Sequence, residues 1–199
     1  MIIRAKEKRE RALGTKLFLK ADRCNGSKCV MIRRPYRPGQ HGQKNHKVSE
    51  YGLQLQEKQK IQIVYGLNNR QLGVLFKKPK DKIKVILEQR LDRVVFLLGF
   101  AGSPRVARQF VGHGHILVNG RKVTIPSFNV RVGDIIAIRP ESKKSKLFEE
   151  LAVKLKQFTP PKWLELKANE LTGKCLAKPS FEDYPFPFDI NLVGQFYSK

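Results

Sequence analysis

The chain has 199 residues, with 40 lysines and arginines against 17 acids, a formal net charge of +23 and an isoelectric point near 10.2. Such an excess repels itself in a compact fold, so it describes partners more than architecture, and a polyanion is the natural counterpart. The longest apolar run, VVFLL at 94–98, is far too short to cross a bilayer, and MIIRAKEKRERALG offers neither a myristoylation glycine nor an apolar signal core; the expected class is a soluble, cytoplasmic, nucleic-acid-binding protein without a membrane partner.

The charge is uneven. Residues 1–60 carry +11, residues 61–159 carry +12 and residues 160–199 are neutral. Residues 1–47 show little periodicity, and CNGSKCVMIRRPYRPGQHGQKNHK is punctuated by Gly and Pro too often for a long helix. The segment reads as a basic, extended arm with turns at Asn25-Gly26 and Pro38-Gly39, ordered by a partner. Its two cysteines, Cys24 and Cys29, and the later Cys175 make an odd total, which argues against a disulfide framework. A structural zinc ion normally needs four ligands. No second cysteine pair exists, although His41 and His46 follow at a workable distance, so two reduced thiols and no metal are expected.

Ser49 is a good N-cap for a helix that runs to Tyr65 and is ended by Gly66, with Val48 and Leu53 placed as a hydrophobic staple. Leu53, Ile61, Val64 and Tyr65 form the expected core stripe. Gln54, Lys58 and Gln62 make a second, polar stripe, either a solvated surface or a phosphate-facing one. A short helix near 69–77 follows with Leu72, Leu75 and Phe76. After the charged breaker KKPKDK, Asp81 caps a helix over 82–98 with Ile83, Leu87, Leu91, Val94 and Leu98 at helical spacing, and Gly99 stops it.

Ser103 and Pro104 open the next helix as N-cap and first residue. Val106, Ala107, Phe110 and Val111 face inward, Arg105 and Arg108 project from neighbouring points, and Gly112 ends it. HILVN then alternates as a strand, Asn119-Gly120 is a type I′ hairpin turn, and RKVTI returns. Gly133-Asp134 turns the chain into the strand IIAIR. A helix over 146–157 carries Leu147, Leu151 and Leu155, with Ser145 as cap and Glu150–Lys154 as an i, i+4 pair, until Pro160-Pro161. The aromatic and proline-rich residues 160–199 read as a strap that packs back on the N-terminal helical part. The fold class is therefore α+β: a basic arm over 1–47, a helical domain over 48–86 and a helix–helix–curled-sheet module over 87–159.

His113 and His115 flank Gly114, and on a strand both would share one face. Two metal contacts are conceivable, yet nothing acidic or thiol-bearing is close in sequence. A general base needs a positioned partner, and the nearest acid forward, Asp134, has a turn role. The reading is structural: the glycines turn the backbone from helix to strand, and the imidazoles cap or stack at the edge of a basic surface. No catalytic residue is expected.

RLDRVVFLLGFAGSPRVARQFVGHGHILVNGRKVTIPS resembles the small RNA-binding module named after the bacterial small-subunit ribosomal protein S-four family. KLFLKADRC, RRPYRPGQHG, SEYGLQLQEKQK and the terminal FYSK are similar to further stretches of that family in the same order, so the resemblance covers nearly the whole chain. The module alone also occurs in tyrosyl-tRNA synthetases and pseudouridine synthases. The resemblance implies the αL-type module fold and an early-binding assembly protein. Such a protein holds a multi-helix junction in the 5′ domain of small-subunit ribosomal RNA. It lines the channel by which messenger RNA enters, touches the S-five and S-three proteins and affects decoding accuracy. It implies ribosome-bound localisation and no small-molecule substrate. Carried over by position, the RNA-facing residues are Arg33, Arg34, Tyr36, Gly39, His41 and Lys47 in the arm and Ser49, Tyr51, Gln54, Lys58 and Lys60 on the first long helix. In the module they are Arg90, Arg93, Arg105, Arg108, Gln109, His113, His115, Asn119, Arg121 and Lys122.

Three departures bear on these positions. RAKEKRER stands where many relatives have a first cysteine pair, which removes a four-cysteine zinc site. Leu97 and Pro104 stand where the family often has Arg, with Arg93 and Arg105 close enough to compensate. Residues 72–87 look shorter than in many relatives. Two other readings of the chain are an RNA-modifying enzyme that uses the module as a handle, and a free-standing regulatory RNA-binding protein. The enzyme lacks a Gly-rich nucleotide loop in a strand–helix setting and the length for one.

Overall fold

The computed structural model describes residues 6–20, 23–24, 26–44, 47–145, 148, 151–180 and 187–198. The chain forms two compact units, one of residues 1–83 with 187–199 and the other of residues 84–186. The mixture of helices with a small antiparallel sheet is the α+β class expected from the sequence.

The first unit holds α1 (Lys6–Leu13), the single turn α2 (Val30–Arg33), α3 (Glu50–Tyr65) and α4 (Asn69–Leu75). α3 starts and stops where its sequence dictates: the Ser49 hydroxyl accepts from Gly52 N, and Gly66 closes the helix in the left-handed region at φ 60°. Its inward face differs from the expected stripe. Leu53 is 44% exposed, while Ile61, Ile63 and Tyr65 are buried. α4 is opened by a reciprocal capping box between Asn68 and Gln71. The expected strap divides in two. Its last part is the helix α10 (Ile190–Tyr197), which packs on α3 in the first unit, capped by Asp189. The earlier part, residues 163–176, belongs to the second unit, and 181–186 lie outside the described residues.

The arm is also different from its expectation. It is folded against the unit, because Leu13, Leu17 and Leu19 bury themselves with Ile63. The organising group is Glu10, only 1% exposed. Its Oε1 accepts from Leu17 N at 3.0 Å and Leu19 N at 3.1 Å, and the Cys24 thiol lies 3.8 Å away. Isolated apolar residues could not order this segment. A buried carboxylate that satisfies two backbone donors does so, since each donor left unmet costs about 1–3 kcal/mol. Glu10→Ala is expected to lower the stability of this unit by about 2–5 kcal/mol, read as earlier tryptic cleavage at Arg23 and Lys28; unchanged cleavage kinetics would refute it. The expected Asn25-Gly26 turn involves Asn25, outside the described residues. The turn at Pro38-Gly39 is present, with Gly39 at φ 112°.

α5 (Lys80–Glu88) carries the chain from one unit to the other. Asp81 sits within its first turn instead of capping it. The helix expected to continue to 98 breaks: Arg90 is extended at ψ 139°, and α6 (Leu91–Leu97) begins after it. The break is a strand-like pairing with a distant loop. Leu91 N donates to Phe128 O and Val130 N to Gln89 O, which bridges Arg90 to Asn129.

In the second unit α6 and α7 (Pro104–Gly112) cover one face of a sheet made of β1 (Ile116–Val118), β2 (Arg121–Lys122), β3 (Ile135–Ile138), β4 (Leu164–Lys167) and β5 (Thr172–Cys175). The order is β2-β1-β3-β5-β4, with every pairing antiparallel. Ile116, Val118, Ile136 and Ile138 alternate inward onto Val94, Leu98, Phe110 and Val111, each fully buried side chain contributing about 1.5–3 kcal/mol. Ser103 caps α7 as expected. The turn of α8 (Pro140–Lys143) leads toward α9 (Leu151–Leu155), the described part of the helix expected over 146–157; Leu147 and Glu150 lie outside the described residues.

Candidate nucleic-acid interface

In the first unit a basic loop is pinned from below. Arg11 on α1 donates from Nε to Tyr36 O at 3.0 Å and from a terminal nitrogen to Arg37 O at 3.3 Å, and its guanidinium lies 4.8 Å from the centre of the Tyr36 ring. A methyl group at Gly42 would collide with the Arg37 carbonyl, so only glycine closes the loop this tightly. The loop backbone is thus fixed while Arg33, Arg34, Gly39, His41 and Lys47 stay exposed and Tyr36 is half-buried. Arg37 and Lys44 are exposed on the same stretch and were missed by the sequence reading, as was the anchor Arg11. No local pattern marks Arg11, because its partners are 25 and 26 residues away.

α3 presents fewer of its expected contacts. Ser49 is exposed with its hydroxyl committed to the cap, and Tyr51 is exposed and packs on Phe196 at 5.6 Å between ring centres. Lys60 is half-buried and paired with Glu57 at 2.5 Å. Gln54 and Lys58, expected to face RNA, are both buried under α10. Gln54 Nε2 donates to Gln195 Oε1, and the Lys58 ammonium, in a residue only 9% exposed, sits 4.2 Å from the Phe196 ring centre. Burial holds the Lys58 ammonium below the ordinary lysine range. The polar stripe on α3 is therefore buried: aromatic rings cover Lys58, Gln54 pairs with Gln195, and Gln62 Nε2 donates to Asn69 Oδ1 at 2.6 Å.

In the second unit the expected set also divides. Arg90 is buried and gives a two-pronged pair to Asp92, at 3.0 and 2.6 Å. Arg93 is buried and donates to Glu88 at 3.0 Å. Both are largely buried in ion pairs next to the α5–α6 break, which the sequence reading did not anticipate. Arg108, half-exposed, shares Asp92 at 3.2 Å. Arg105 is half-buried, whereas Gln109, His113, Asn119, Arg121 and Lys122 are exposed. Asn119 is occupied in its turn: Nδ2 donates to Asp134 Oδ1 at 2.8 Å and Oδ1 accepts from Ile135 N at 2.9 Å. It stands at φ 49° before Gly120 at φ 77°, the geometry of a type I′ hairpin.

The two histidines straddle the end of α7. The helix ends at Gly112, as the sequence places it, with His113 as C-cap, and Gly114 at φ 75° turns the chain toward β1. His113 N bonds back to Gln109 O and His115 N to Phe110 O. The His115 ring is held between Phe110 and Phe148, with Nδ1 2.9 Å from the Ser142 hydroxyl. Its pKa lies below the usual histidine value, mainly from burial and then from His113, Arg139 and Lys122 nearby. Arg139, half-buried, stands close to His115 and was missed by the sequence reading, which took it only as the end of the strand IIAIR; Arg131 and Lys144 are exposed elsewhere on this unit. Among the described residues no group of three or more His, Cys, Asp and Glu side chains is arranged to hold a metal ion, and Cys24, Cys29 and Cys175 are buried free thiols; His46 lies outside the described residues. No helix among them is long and apolar enough to cross a membrane.

Residues 2–95 match the family described as the ribosomal protein S4/S9 N-terminal domain, and residues 89–136 match the S4 domain. The chain is 47% identical over 193 residues to the small ribosomal subunit protein uS4 of Halothermothrix orenii and to that of Heliobacterium modesticaldum, in each case across 94% of this chain and 93% of the relative. It is 46% identical over 194 residues to the protein of that name from Desulfitobacterium hafniense.

Proposed function

Since the chain belongs to the family of small ribosomal subunit protein uS4, we propose that it is a structural protein of the small ribosomal subunit, ribosome-bound in the cytoplasm, that acts by gripping folded ribosomal RNA. The observation that carries this reading is the sorting of its cations. Arg34, Arg37, His41 and Lys44 are exposed on one pinned loop with Arg33 at the end of α2 beside it, Lys47 is exposed before α3, and Arg121, Lys122 and His113 are exposed on the module.

A-form RNA hides its base edges in a deep groove, so a protein reads it through backbone, shape and unstacked bases. Arg supplies a planar fork for phosphates and Lys a point charge. The loop and the module are rigid supports for such contacts. The RNA is a multi-helix junction in the 5′ domain of the small-subunit RNA, bound early so that it nucleates assembly. The protein lines the channel through which messenger RNA enters, adjoins the S-five and S-three proteins and contributes to decoding accuracy. It uses no cofactor.

Sucrose-gradient sedimentation tests the reading. The protein is expected to travel with small subunits after a salt wash that strips loosely bound factors. A peak only at the top of the gradient would favour a free-standing regulatory RNA-binding protein and reject the structural role.

A further inference from the structure

Arg11 stands on α1, yet its half-buried side chain serves residues 25 and 26 positions later in the chain. Nε donates to Tyr36 O at 3.0 Å, a terminal nitrogen donates to Arg37 O at 3.3 Å, and Cζ lies 4.8 Å from the centre of the Tyr36 ring. The two carbonyls belong to consecutive residues bracketed by Pro35 and Pro38. Each proline fixes its own φ and restricts the residue before it, so Arg34 and Arg37 have little backbone choice. Arg37 O is also enclosed by Gly42, where a methyl group would collide with it, and Gly42 N donates to Gly39 O at 3.2 Å. The Arg11 fork thus adds a tertiary anchor to a backbone that prolines and glycines already restrict. The anchor has a fixed base, because its neighbour Glu10 is buried and accepts from Leu17 N and Leu19 N.

The cations of this region divide by task. Arg34, Arg37, His41 and Lys44 are exposed, whereas Arg11 spends its donors on main-chain carbonyls. A loop without the anchor would keep every exposed charge. It would still attract any polyanion, since that attraction follows the number of phosphates neutralised. It would lose the fixed spacing between its cations. Ordering the loop would then fall to the binding step, at about tenfold in affinity for each residue fixed. A folded RNA with a rigid phosphate layout demands that order; a flexible strand adapts to the loop instead.

We infer that Arg11 is a positioning residue that sets selectivity: by holding the Tyr36 and Arg37 carbonyls it makes the loop prefer folded over unstructured RNA, without touching RNA itself. The inference rests on the RNA-binding reading above. Arginine suits the task because a planar fork donates to both carbonyls while lying against a ring, whereas lysine brings the same charge as a single point.

The test compares the full chain with Arg11→Lys, Arg11→Gln and Gly42→Ala. Affinity is measured across a salt titration for a 5′-domain fragment of small-subunit ribosomal RNA and for poly(U), with circular dichroism to select variants that remain folded. Arg11→Lys keeps the charge and should weaken binding to the folded fragment about tenfold, while poly(U) affinity changes by less than about twofold. Gly42→Ala displaces the Arg37 carbonyl, removes no cation and should reproduce that loss. Arg11→Gln should lose as much, with the salt slope for the fragment shifted by less than about 0.3. Equal losses on both RNAs in Arg11→Lys overturn the inference. A slope that flattens by about 0.8 in Arg11→Gln also overturns it, because that is the mark of a direct phosphate contact. A parent protein that binds both RNAs alike overturns it too and leaves the RNA-binding reading standing. Absence of binding to either RNA overturns both.

Discussion

Arg93→Ala is expected to cost the second unit about 3–5 kcal/mol of stability, the usual penalty for stranding one partner of a buried ion pair. Glu88 has no exposed surface and Arg93 is 6% exposed, so loss of the guanidinium removes a charge-assisted bond from a carboxylate held in the interior. Its neighbours in the chain, Leu87, Leu91 and Val94, are buried as well, so the carboxylate lies in the interior. Urea titration measures the effect, and the melting temperature should fall by more than about 10 °C. A double replacement, Arg93→Met with Glu88→Leu, is expected to recover most of the loss, since two apolar side chains remove both charges together. The experiment also separates two roles for Arg93. If Arg93→Ala were as stable as the parent yet bound RNA with a flatter salt dependence, Arg93 would be an RNA contact and its assignment to the interior would be wrong.

Arg33, Arg34 and Arg121 are the opposite case. Each is exposed, so their joint replacement by Ala should leave stability within about 0.5 kcal/mol of the parent. RNA affinity should fall by at least about a hundredfold, taking the worth of charge-assisted bonds to phosphate. The plot of log affinity against log salt should flatten by about two to three units, one contribution from each lost phosphate contact. Arg121, not Arg108, represents the module, because Arg108 already shares the Asp92 carboxylate with Arg90. An unchanged salt slope would show that the loop and the hairpin turn face away from the RNA. Together the two experiments ask whether exposure divides the cations into those that build the fold and those that bind.

Much of the fold was legible because it is written locally. The Ser49 and Ser103 caps, the Gly66 stop and the Asn119-Gly120 turn each depend on residues within a few positions, and each appears where the sequence places it. The failures share a physical cause. The helix expected through 98 breaks because Phe128 and Val130 offer its backbone different partners. Periodicity cannot report a competitor nearly forty residues away. The β4–β5 hairpin went unread because LELK and TGKC are short and gain their order from pairing with β3. The arm was taken as extended because its order depends on one acid, Glu10, whose hydrogen-bond donors are backbone N–H groups and carry no sequence signature.

The sequence by itself determined that this chain meets a polyanion, which helices it forms around residues 50–65 and 104–112, and which family pattern it follows, since charge, capping and motif order are properties of neighbouring residues. Tertiary structure alone decided which cations remain available. Lys58, Arg90 and Arg93 look no different in sequence from Arg33 or Lys122, yet α10 covers the first and carboxylates hold the other two inside. A lysine or arginine on a helix has a face but no address until another element packs on it, and the cost of burying a charge makes that packing choose its partners.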